Sequence, residues 1–200
     1  MRRVAVIVLL SITAVIAADK DKPRFAPGPA ASYSSHQTLD KITIAAVPYI
    51  TDAETATAFG KLNPNKYGIL PVLVILENGT GKALRLDLRA EFVTADGKHV
   101  VALTPDDVQH LNGGAKAPRI GGGPRLPVPL PKREKKGPLN VEEIDGRSFG
   151  AKMLPVGERA FGFFYFNADH EPGSQLYLTG IRDAASGQDY FYYEIPLLPQ

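Results

Sequence analysis

The chain contains no cysteine. Disulfides, thiolate metal sites, cysteine nucleophiles and a lipidated N-terminal cysteine are therefore excluded, and stability must come from packing. No apolar run reaches the roughly 20 residues that cross a bilayer. Excess positive charge is missing too. The formal net charge is +2, and Arg2 and Arg3 account for both units because residues 1–18 hold no acid. Residues 19–200 balance 21 basic against 21 acidic side chains. That balance argues against a general nucleic-acid binder, which needs a large positive field.

What is present begins with an address. Met1-Arg2-Arg3 opens with charge, residues 4–16 are apolar apart from Ser11 and Thr13, Ala17 and Ala18 are small, and Asp19-Lys20-Asp21-Lys22 follows. That order is what an export signal requires. It predicts a signal peptide over 1–18 and a mature chain that works in the periplasm or outside the cell. Residues 19–38 are rich in Pro, Ala and Ser, which predicts a flexible linker. The expected folded domain is 39–200, in a chain of ordinary composition at 44% hydrophobic and 22% charged residues.

Within that domain the pattern is mostly that of strands. Residues 42–47 read as the first. Thr51-Asp52-Ala53-Glu54 has capping-box spacing, so 53–59 with Gly60 behind it predicts a two-turn helix. Residues 69–76 form a short, wholly apolar run, which predicts a central strand buried on both faces with Pro71 near its start. Leu84, Leu86, Leu88, Ala90 and Phe92 alternate with Arg85, Asp87, Arg89 and Glu91, placing one strand face in the core and one in water. Asp96-Gly97 predicts a hairpin into 99–103. Thr104-Pro105-Asp106-Asp107 and Asn140-Val141-Glu142-Glu143 each predict a capped short helix. Residues 159–166, 175–182 and 189–195 read as three more strands. With no alternation of strand and long helix, the expected class is an all-β antiparallel sandwich with one to three short helices.

Two segments carry a resemblance: residues 67–78, a buried strand ending in Glu77-Asn78, and residues 154–166, a Pro- and Gly-containing turn feeding a strand in which Gly162 precedes aromatics. Together they resemble the immunoglobulin-like β-sandwich domains of unknown function found in exported bacterial proteins, over roughly residues 40–196. The resemblance implies a binding or assembly module. Residues 112–138 depart from that pattern. They combine six prolines and a run of glycines with Lys116, Arg119, Arg125, Lys132, Arg133, Lys135 and Lys136 against Glu134 alone. They read as a long disordered insertion that either contacts an anionic envelope component or membrane surface, or serves as a solvated linker. Arg125, Lys132, Arg133, Lys135 and Lys136 are its candidate binding residues.

Most aromatics crowd between positions 161 and 193. Phe161, Phe163 and Tyr165 are expected on one strand face, Phe164 and Phe166 on the other. They read as core, or as a platform for a sugar or protein in which Tyr190, Tyr192 and Tyr193 are the candidates. Gly146-Arg147-Ser148-Phe149-Gly150 has the G-x-S-x-G spacing of a nucleophile elbow, with Asp169 and His170 downstream. The competing reading is a glycine-rich turn with an ordinary serine. His99, Asp106, Asp107 and His110 form a loose metal set without recognised spacing, and Asp106, Asp107 and His110 are more simply helix-end charges. Gly79-Thr80-Gly81-Lys82 lacks the pattern of a phosphate loop, and Asn78-Gly79-Thr80 has glycosylation spacing. No cofactor and no metal are expected. The leading function is a non-enzymatic exported binding or scaffolding module. A serine hydrolase using Ser148 and a carbohydrate-binding domain are the alternatives.

Overall fold

The computed structural model describes residues 25–111, 138–139 and 142–199. The signal peptide expected over 1–18 and the basic stretch 112–137 lie outside the described residues. Two antiparallel sheets organise the rest. The four-stranded sheet has the order β1-β2-β3-β7, from His36–Leu39 (β1), Ile42–Pro48 (β2), Leu70–Asn78 (β3) and Arg159–Phe166 (β7). The five-stranded sheet has the order β5-β4-β8-β9, from His99–Val101 (β5), Leu84–Val93 (β4), Gln175–Asp183 (β8) and Tyr193–Pro196 (β9), with β6 (Met153–Leu154) paired to one end of β4. The described residues also form three short α-helices, α1 (Asp52–Phe59), α2 (Pro105–Leu111) and α3 (Glu142–Arg147), and two 3-10 turns at Ala30–Ser32 and Pro64–Tyr67.

The strand period of two sends alternate side chains to opposite faces, and the burial follows it. Ile42, Ile44, Val72, Val74 and Phe166 meet Leu84, Leu86, Phe92, Leu176, Ile181 and Tyr193 between the sheets. The other face of the four-stranded sheet buries Val47, Tyr49, Leu73, Ile75, Phe163 and Tyr165 under Phe59 of α1, Val108 of α2 and Ile144 of α3. The central strands β2 and β3 are therefore dry on both sides, as the unbroken apolar run of β3 predicts, and Pro71 sits second in β3, near its start. The aromatics of β7 divide as expected, Phe163 and Tyr165 going to one core and Phe166 to the other. Among the described residues, no helix packs on the outer face of the five-stranded sheet.

Helix α1 starts as its sequence dictates. Thr51 accepts from the Glu54 N–H while Glu54 accepts from the Thr51 N–H, and Gly60 ends it at φ 64°. The Thr104 hydroxyl and the Asp107 carboxylate cap α2 reciprocally.

Two expectations need correction. The linker predicted over 19–38 is packed structure from Phe25 onward. Ala30 is fully buried and its N–H donates to Glu77 Oε1 at 2.9 Å, Ser35 is buried, and Phe25 packs its ring 5.6 Å from Phe163. A few well-placed side chains dock this segment where bulk apolar content does not. The strand predicted over 189–195 is confined to Tyr193–Pro196, because residues 189–192 leave the ladder after a single bridge between Arg182 and Asp189.

Candidate functional site

The outward side chains of β4 and β8 form the floor of a groove of about 510 Å³, within the size range of small-ligand sites. From β4 come Arg85, Asp87 and Arg89; from β8 come Tyr177, Thr179 and Arg182; the segment 189–192 forms the far wall with Asp189, Tyr190, Phe191 and Tyr192. Register brings these together, since Arg89 pairs with Thr179 and Glu91 with Tyr177.

Two backbone features shape the floor. Between Leu86 and Arg89 the register with β8 shifts by one residue, a β-bulge opposite Gly180. Gly180 has φ +91°, and a Cβ there would meet the Asp87 carbonyl oxygen at 2.1 Å, so no side chain fits. At the end of β8, Asp183 builds the turn that returns the chain to the groove. It accepts from the Ala185 and Ser186 N–H groups at 2.8 and 3.0 Å and pairs with Lys82 at 2.8 Å. The Lys82 ammonium, followed by those two N–H donors, holds its carboxyl well below the usual carboxylate range.

Charge in the groove is uneven. Asp87 pairs with Arg85 at 2.9 Å and more loosely with Arg182 at 3.8 Å, and Arg182 meets Asp189 at 2.5 Å. Such exposed pairs add little stability, about 0–1 kcal/mol each, but they orient the guanidinium groups. Arg89 is exposed and forms no ion pair among the described residues. Tyr192 stacks on Tyr177 with centroids 5.4 Å apart, and Phe191 is 76% exposed.

Of the residues expected to bind, Tyr190 and Tyr192 line this groove. Tyr193 does not. It faces the interior, fully buried, and its hydroxyl donates to the Leu39 carbonyl at 3.4 Å. Alternation sends it to the face opposite Tyr192. Arg125, Lys132, Arg133, Lys135 and Lys136 lie outside the described residues.

Ser148 follows α3, and its neighbour Phe149 donates an N–H to the Phe163 carbonyl at 3.1 Å. The segment runs beside β7 so closely that a Cβ on Gly162 would meet Phe149 Cα at 2.4 Å. It is an edge bridge, not a strand-to-helix elbow. Ser148 lines a cleft with Phe25, Arg147 and Phe161. His170 lies in another, beside Ile50 and Asn65, and its Nε2 is 2.8 Å from the Leu197 carbonyl oxygen. The structure does not bring the two together. His99 bonds Glu91 at 2.7 Å, Asp107 is engaged in its helix cap, and no group of three or more possible metal ligands occurs among the described residues. Asn78 is 2% exposed, and its amide donates to the carbonyls of Lys82, Leu154 and Pro155. It is a structural clasp that no glycosyl group can reach.

Arg85, Asp87 and Arg89 were legible as water-facing, but nothing local says that Tyr177, Arg182 and Phe191 are their neighbours. No protein-family model matches the chain, and no curated protein matches it.

Proposed function

We propose that the chain is an exported, non-enzymatic binding module of the cell envelope, built on an immunoglobulin-like sandwich and holding its partner on the outer face of the five-stranded sheet. The strand order supports the immunoglobulin-like part. Setting aside the edge strand β1 and the two-residue β6, the first, second and fifth core strands (β2, β3, β7) share one sheet. The third, fourth, sixth and seventh (β4, β5, β8, β9) share the other, as strands A, B, E and C, C′, F, G do in that architecture. The leader-like order of residues 1–22 supports export.

One observation carries the binding reading: among the described residues, an aromatic and arginine-lined groove stays exposed on the outer face of the five-stranded sheet. Exposed aromatics in a concave site mark recognition surfaces more often than folding needs. The test is site-specific photocrosslinking in intact cells from position 191, with and without Tyr192→Ala. Adducts that weaken in the variant while the melting temperature holds are the expected result. Adducts indifferent to the groove would refute its role. Fluorophosphonate labelling that disappears in Ser148→Ala would refute the non-enzymatic part.

A further inference from the structure

We infer that the groove takes an anionic oligosaccharide whose sugars carry carboxylates. The inference rests on the reading of this groove as the binding face, and it names the ligand chemistry.

Three features converge on that class. Aromatic surface comes first: Phe191 is 76% and Tyr192 51% exposed, beside the Tyr177 ring that Tyr192 stacks on. Flat apolar rings cover the C–H faces of pyranose sugars, burying apolar area without demanding hydrogen bonds. The second feature is Arg89. It projects from the middle of β4 with no carboxylate partner among the described residues, and a guanidinium fork matches a carboxylate in two parallel hydrogen bonds.

The third feature separates a sugar from an acidic peptide. Asp87 and Asp189 stand in the same groove, 41% and 65% exposed, each held by an arginine. The side chains of an acidic peptide would bring these two acids only further carboxylates, with no donor to bond them. Sugar hydroxyls, in contrast, donate to such carboxylates and accept from the arginines beside them. The same two acids disfavour a polysulfated chain, while one unopposed guanidinium suits a single carboxylate per bound repeat.

The test titrates residues 19–200 with an oligogalacturonate, its methyl-esterified counterpart and poly-glutamate. Tyrosine emission is the signal, which the absence of tryptophan leaves unmasked. Saturable oligogalacturonate binding is expected, weakened about tenfold by Arg89→Ala and similarly by Phe191→Ala. Both side chains are exposed, so both variants should keep the parent melting temperature. Equal affinity for the methyl ester would overturn the carboxylate requirement, and equal affinity for poly-glutamate would overturn the sugar. Silence toward all three overturns the ligand class. Groove-dependent crosslinking from position 191 would then show that the wider binding reading survives, and its loss would show that both fall.

Discussion

Gly180 and Asn78 each do something no other side chain can do at their positions. With φ +91° and the Asp87 carbonyl against its Cα, Gly180→Ala should cost about 3 kcal/mol or more, read as a lower urea midpoint. The bulge should distort with it, so ligand binding weakens as well. Asn78 places its amide N–H groups toward three carbonyl oxygens. Asn78→Asp turns that donor into a charged acceptor and should destabilise more than Asn78→Ala, which should cost about 2 kcal/mol; chemical denaturation of both variants checks the order. Asp183 sets the acid limit. Lys82 and two backbone donors favour its ionised form in the folded state, so the folded protein binds that proton more weakly than the unfolded chain does. Its contribution is complete above the ordinary carboxylate value of 3.8 and is lost as the pH falls below it. Asp183→Asn should be less stable than the parent at neutral pH and lose less than the parent on acidification.

Among the elements, the N-terminal strap is the one whose role differs most from its composition. Phe25, Ala30 and Ser35 each fill or bond a place prepared by β2, β3, β7 or the C-terminal segment, and the Leu198 N–H donates to Ser35 Oγ at 2.9 Å. A chain beginning at residue 36 should melt more than about 5 °C below one beginning at residue 25, measured by circular dichroism. Prolines and serines hide such a segment from composition, because its docking sites come from residues far along the chain. Helix α1, β3 and β4 were legible for the opposite reason: a cap, a doubly buried run and a period of two are all local signals. The 189–195 expectation failed at its first half. β-propensity of consecutive aromatics is equally high in a strand and in an irregular wall, and nothing local to residues 189–192 decides between them. The groove is legible only in halves, since the register that joins Arg89 to Thr179 spans most of the fold.

For the whole molecule, two interiors share one sheet, and three tyrosines mark them. Burial pushes the Tyr49 hydroxyl up to about 12, and burial lifts Tyr165 and Tyr193 further. The folded state holds these protons more tightly than the unfolded chain. Stability should therefore be undiminished below the ordinary phenol value of 10.0 and decline as the pH climbs through and beyond it. A urea midpoint series across alkaline pH, with phenolate absorbance followed in parallel, should show these three ionising only as the protein unfolds. Tyr165→Phe removes the hydroxyl that donates to the Ile144 carbonyl at 2.8 Å and should soften that alkaline decline.

The five-stranded sheet keeps a single dry side. Arg85, Arg89 and Phe191, on its other side, belong to neither interior, so a lineage can exchange them without renegotiating the core. Selection for a new partner thus meets little resistance from selection for a sound scaffold, and specificity is free to drift where architecture is not.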